Sequence, residues 1–166
     1  MMPKVILTLL LFIAAQAKAQ QTITTFVLIR HAEKDLTQST NDPDLAPEGK
    51  QRATKLADVF TEAEITAVYS TPYKRTRQTV NVLAGRKNLA VRDYDANSEA
   101  DIDAMLAEHR GGTIVVTGHS NTIPWFANKL IGMEKYRPLE DGDYNNLWII
   151  SVVEKGNVAK LMWLNY

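Results

Sequence analysis

A chain of 166 residues, 45% hydrophobic and 23% charged, has the size and composition of one globular domain able to bury its own core. It has no cysteine, which excludes disulfides, zinc–thiolate sites and thiol nucleophiles. Its 19 basic and 19 acidic residues balance, so nothing indicates a nucleic-acid partner or a polybasic membrane surface.

Residues 1–19, MMPKVILTLLLFIAAQAKA, differ from the rest. Lys4 precedes an apolar run from Val5 to Ala15, and Ala17-Lys18-Ala19 offers a small-x-small cleavage site. That layout predicts a secretory signal peptide cut near Ala19, and an exported product, periplasmic or extracellular. The run is short for a membrane span, so no stable membrane insertion is expected after its removal. The alternative is an uncleaved anchor. A lipoprotein is excluded, because there is no cysteine to acylate. Cleavage removes Lys4 and Lys18 and no acid, leaving residues 20–166 as a single, mildly acidic domain.

Thr24 to Ile29 is β-branched, aromatic and apolar without alternation, the pattern of a strand covered on both faces. A polar loop, DLTQSTNDPD, follows. Pro47 then opens a helix whose Ala53, Leu56, Ala57 and Phe60 share one face. Ala67 to Tyr69 reads as a short strand ended by Ser70-Thr71-Pro72. A helix follows from about Lys74 to Ala84, stopped near Gly85, and Leu89 to Val91 reads as a third short strand. Ser98, three residues before Asp101, starts a helix that ends at Gly111-Gly112. Thr113 to Thr117 is a second buried strand, followed by the turn Gly118-His119-Ser120-Asn121 and a helix over Thr122 to Ile131. Leu147 to Val153 and Val158 to Leu164 form a hairpin through Lys155-Gly156-Asn157. This order predicts an α/β fold in three layers, with a mostly parallel central sheet and an antiparallel edge.

Ligands of open α/β sheets bind beyond the carboxyl ends of the strands. The first strand delivers Arg30-His31 there, the strand TIVVT delivers His119, and the short strand AVY leads through STPYKRTRQT to Arg75. Arginine forks match phosphate oxygens, and an unprotonated imidazole is a nucleophile near neutral pH. Helices that begin beside Arg75 and after His119 add positive N-termini. The set fits a dianionic tetrahedral group, with one imidazole attacking phosphorus while the other basic groups stabilise the equatorial oxygens.

At this point the chain resembles the histidine phosphatase superfamily, the phosphoglycerate-mutase-like fold. LIRHAEK, LAPEGKQRA, STPYKRTRQT and VTGHSNTI carry the resemblance, in that order. It implies that His31 is the phosphorylated nucleophile and that Arg30, Arg75 and His119 hold the phosphoryl group. Glu33 and Thr122 match positions with a structural role. No cofactor and no metal are expected, and the implied partner is a small phosphomonoester. Ala32 replaces the glycine that many members carry, a small change. His119 is followed by Ser120, so the His-Asp form of acid phosphatases and phytases is absent.

The proton donor is the open position. RDYDANSEAD offers Asp95 and Glu99, with Asp93 nearer the strand, and Asp95 is the preferred candidate. EDGDYNN, Glu140 to Asn146, reads as a polar turn; an antiparallel final strand would return it to the catalytic edge, to supply an acid or shape the pocket. Arg75 is preferred to Arg77 because it precedes the QT pair as the family arginine does. The bland alternatives are a hydrogen-bonded His31 at a strand end, a surface ion pair of Arg30 with Glu33 or Asp35, and a solvated basic face around Arg75. His109, near a helix C-terminus, suits the dipole there and receives no catalytic role.

The expected activity is a metal-independent phosphomonoesterase. Its alternatives are a phosphoglycerate-mutase-like enzyme, a phosphohistidine phosphatase, and a non-catalytic protein that binds a phosphate ligand on the same fold.

Overall fold

Thr24–Arg30 (β1) is apolar on both faces because both are covered: no residue from Phe26 to Ile29 is more than 1% exposed. The structure, a computed structural model, describes residues 22–166. The expected signal peptide, 1–19, lies outside the described residues.

After β1 come helix α1 (Pro47–Val59), strand β2 (Ala67–Ser70), helix α2 (Lys74–Lys87) and strand β3 (Val91–Asp93). Helix α3 (Glu99–Glu108), strand β4 (Thr113–Gly118), helix α4 (Thr122–Ile131) and strands β5 (Asn146–Glu154) and β6 (Val158–Asn165) complete the chain. The strands form one six-stranded sheet in the order β3-β2-β4-β1-β5-β6. The first four are parallel, and β5 and β6 form the antiparallel side. Leu56 and Ala57 of α1 and Val80, Leu83 and Ala84 of α2 pack on Val27, Ile29, Val68 and Val115. Ile102 and Met105 of α3 and Ile123, Phe126 and Leu130 of α4 pack on Phe26, Leu28, Tyr69 and Val116 from the other side. These are the three layers, each helix offering one apolar stripe to the sheet.

Register places the site. Asp93 is level with Ser70, Ser70 with Thr117, and Thr117 with Ile29. The parallel strands therefore end in one row, and the residues that follow them share one edge. Leu147 of β5 is also level with Ile29, so the segment feeding this antiparallel strand arrives at the same edge.

Two expected boundaries shift. Helix α2 does not stop at Ala84; Gly85 lies inside its last turn, and the helix ends at Asn88 in the left-handed conformation (φ 54°). The Leu89 N–H closes that end on Ala84 O, so β3 begins only at Val91 rather than at Leu89. The hairpin also puts β5 inside the sheet, and β6 alone is the antiparallel edge strand.

Gly49 fixes the approach of α1 to the segment after β1. A Cβ there would stand 2.3 Å from the Glu33 carbonyl oxygen. Gly49→Ala is expected to destabilise the protein, because overpacking against backbone costs about 1–3 kcal/mol. Alanine's advantage over glycine inside a helix is only about 1 kcal/mol. A lower urea midpoint measures the effect; an unchanged or raised midpoint would show that the segment yields.

Candidate active site

His31 is the first residue past β1, and its surroundings fix it in one state. Its N–H donates to Gly118 O at 2.9 Å, and the next N–H, of Ala32, donates to Thr79 Oγ1 at 2.9 Å. The ring Nδ1 lies 2.8 Å from Ala32 O, which can only accept, so Nδ1 carries the proton and Nε2 keeps its lone pair. His31 is 5% exposed. Burial, with the charges of Arg75, His119 and Arg30 adding to it and the Ala32 bond opposing, pulls its pKa down to about 3. At neutral pH it is an uncharged imidazole with a free nitrogen.

Arg30, the last residue of β1, has a side chain only 4% exposed. The turn before β5 holds it. Nη1 donates to Glu140 O at 2.6 Å and to Asp143 O at 3.1 Å, and Nη2 donates to Asp141 O at 3.1 Å. Burial lowers the guanidinium pKa, opposed by Tyr144, Asp141 and Asp143. Nε has no partner. Of five N–H donors, Nε–H and one on Nη2 remain, on the edge of the fork that suits two oxygens of one anion.

Arg75, at the start of α2, has a side chain 14% exposed. Its Nη1 meets the Asp42 carboxylate at 3.5 Å and Asn41 O at 3.4 Å, its Nη2 lies 3.5 Å from His119 Nδ1, and its Nε is unpartnered. Arg77 instead pairs with Asp93. His119 Nε2 lies 3.0 Å from Thr71 Oγ1, and its main-chain N–H donates to Thr122 Oγ1 at 2.9 Å. Burial and the charges of Arg75 and Arg30 hold its pKa down to about 4, against Asp42. The two histidine rings stand 5.5 Å apart. The four residues expected at this edge are thus brought together.

Glu33 turns away and takes a bidentate bond from Arg52, with contacts of 2.6 to 3.0 Å. Burial alone would raise its pKa, but the Arg52 hydrogen bonds hold it below the ordinary carboxylate value. His109 ends α3 and bonds Tyr69 OH at 3.0 Å.

A cavity of about 710 Å³ opens beside His119 and Arg75, and Asp95 lines its wall. Asp95 Oδ1 accepts the Asn97 N–H at 2.9 Å and takes no basic side chain within salt-bridge distance among the described residues. Asp93 also lines the cavity but is tied to Arg77, and Glu99 pairs with Lys155 and Lys129. Of the three carboxyls weighed from the sequence, Asp95 is therefore the one left free at the cavity.

The sequence reading missed three contributors. Thr71 holds His119, the carbonyls of residues 140, 141 and 143 hold Arg30, and Asp42 holds Arg75. The turn EDGDYNN does return to the site, where its main-chain oxygens hold Arg30 and its Tyr144 ring lies against the same guanidinium.

The model of the histidine phosphatase superfamily (branch 1) matches residues 26–105. The chain is 38% identical over 80 residues to phosphoserine phosphatase 1 of Hydrogenobacter thermophilus, a match covering 45% of this chain and 38% of that protein. The chain thus spans well under half the length of that relative. Among solved structures, the protein histidine phosphatase SixA complexed with tungstate is 18% identical, with a TM-score of 0.67 over 85% of this chain and 96% of that one. A mutant phosphoserine phosphatase of Entamoeba histolytica in complex with phosphoserine is 17% identical, with a TM-score of 0.65 over 84% and 95%. At these identities the likeness to solved structures is one of fold.

Proposed function

From the match of the histidine phosphatase superfamily model to residues 26–105, we propose that the chain is a member of that superfamily and hydrolyses phosphomonoesters through a phosphohistidine on His31. One observation carries the reading: a neutral His31, its Nδ1–H held by Ala32 O, stands beside two arginines whose Nε groups have no partner. In the first step His31 Nε2 bonds to phosphorus as the P–O bond to the leaving group breaks, the electron pair departing on that oxygen. Asp95, or water, gives this oxygen a proton. In the second step water attacks the phosphorus of the phosphohistidine and gives a proton back to the group that donated one in the first step, the P–N bond breaks, and phosphate leaves with the Nε2 lone pair restored. Arg30, Arg75 and His119 hold the three equatorial oxygens as charge spreads over them.

The charge that a metal would supply comes here from guanidinium groups, so the reaction is metal-independent in this proposal. With 1–19 as a signal peptide, it takes place outside the cytoplasm on small phosphomonoesters. The relatives' names point to phosphoserine and phosphohistidine, which both fit a site that grips the phosphoryl group and leaves the leaving group in an open cavity.

The test is incubation of the purified protein with 4-nitrophenyl phosphate in excess EDTA, followed by acid treatment of a rapidly quenched sample. Turnover with an acid-labile phosphoryl group on the protein is expected. Tight phosphate binding without turnover, across a panel of phosphomonoesters, would establish a binding protein on this fold instead.

A further inference from the structure

Two tyrosines that the phosphoryl-transfer scheme does not use stand against its four residues. The Tyr144 ring lies under the Arg30 guanidinium, 4.3 Å from its carbon, and 6.0 Å from the His31 ring. The Tyr73 ring lies under the Arg75 guanidinium at 4.6 Å, and 5.0 Å from the His119 ring with the planes at 88°. With His31 and His119 5.5 Å apart, the rings form one row: Tyr144, His31, His119, Tyr73. Each end of the row carries one arginine.

The two tyrosines come from unrelated segments. Tyr73 is the residue before α2, and Tyr144 belongs to the turn that holds Arg30. Each does the same thing to its arginine. A ring on the face of a guanidinium attracts it and removes water from that face. The planar fork is then left only its edges for hydrogen bonding. On Arg30 the main-chain oxygens take most of that edge, and Nε remains. On Arg75, Asn41 O and Asp42 take Nη1, and Nε again remains.

We propose that Tyr73 and Tyr144 are a matched pair of positioning residues, whose rings fix the planes of Arg75 and Arg30 so that both arginines offer their Nε edges to one phosphoryl group. This rests on the reading of the site as a phosphoryl-binding one. Neither hydroxyl takes part, since the ring faces make the contact. The role therefore belongs to the aromatic ring, and phenylalanine should replace it where leucine, similar in bulk but without a π face, should not.

The experiment measures inorganic phosphate affinity by calorimetry, together with kcat and KM for 4-nitrophenyl phosphate. The proteins are wild type, Tyr73→Phe, Tyr73→Leu, Tyr144→Phe and Tyr144→Leu. Thermal melting of each variant identifies any loss of fold. Each leucine variant is expected to bind phosphate about tenfold more weakly, with the phenylalanine variants staying within about twofold of wild type. The Tyr73→Leu loss should disappear when Arg75 is already methionine, and the Tyr144→Leu loss when Arg30 is. Leucine variants that bind phosphate as wild type does would overturn the pairing while leaving the phosphoryl site intact. Phenylalanine variants as weak as leucine would overturn it too, by moving the role to the hydroxyls. Failure of the wild type itself to bind phosphate would overturn both the pairing and the reading of the site.

Discussion

His31→Ala is expected to lower kcat by about 10⁴-fold or more, the scale of loss when a covalent nucleophile is removed from an enzyme that otherwise stays intact. Phosphate affinity should fall far less, by under about tenfold, because charged hydrogen bonds dominate anion binding and those donors remain. Arg30 is still held by the carbonyls of residues 140, 141 and 143, and Arg75 is still held by Asp42. Alanine loses one hydrogen bond, to the Ala32 carbonyl, and the main-chain bond to Gly118 stays. The fold should therefore survive, and the quenched protein should carry no phosphoryl group. Steady-state rates, product inhibition by phosphate and the adduct assay separate these effects. A variant within tenfold of wild-type kcat would remove His31 from the role of nucleophile. Loss of phosphate affinity equal to the loss of rate would make His31 a binding residue instead.

The residues that could be read from the chain are those whose place follows from a strand. β1 and β4 have uninterrupted apolar runs because they are buried on both faces, and each points its next residue at the sheet edge. Arg30, His31 and His119 follow directly. Arg75 follows from the start of a helix after a short strand. What holds these side chains was less legible. Arg30 is gripped by carbonyl oxygens 110 to 113 residues away, and a main-chain carbonyl has no sequence signature. The two tyrosines were visible in quoted segments, STPYKRTRQT and EDGDYNN, but ring-to-guanidinium contact depends on tertiary approach. The misplaced end of α2 has a local cause. Gly85 and Asn88 both accept a left-handed conformation, and the chain uses the later one, which also moves β3.

Acid should destabilise the protein through its site, and His31 sets the direction. Unfolded, a histidine titrates near pH 6.5; in the native protein His31 is held down to about 3. Between those values the unfolded chain binds a proton that the native chain refuses, so acid favours unfolding. The contribution is complete above pH 6.5 and is lost progressively as pH falls toward 3, at a slope of about 1.4 kcal/mol per pH unit. His119, native value about 4, acts in the same direction over a narrower window, and more weakly because solvent reaches it. Glu33, held below its ordinary value, loses its contribution only at lower pH, as acid protonates its carboxylate. The window from pH 6.5 to 5 therefore belongs mainly to the two histidines. Urea midpoints of wild type and His31→Gln across that window test the assignment. Glutamine fills much of the space and cannot take up a proton, so the variant's midpoint should fall less steeply with acid. Saturating phosphate should flatten the wild-type slope, because an anion between Arg30 and Arg75 offsets the charges that add to burial in holding both histidines neutral. Superimposable slopes for wild type and variant would mean that native His31 takes up its proton as an unfolded histidine does. Burial and the neighbouring arginines would then not be what keeps its lone pair free, and the account of the site as one that holds a neutral nucleophile would fall.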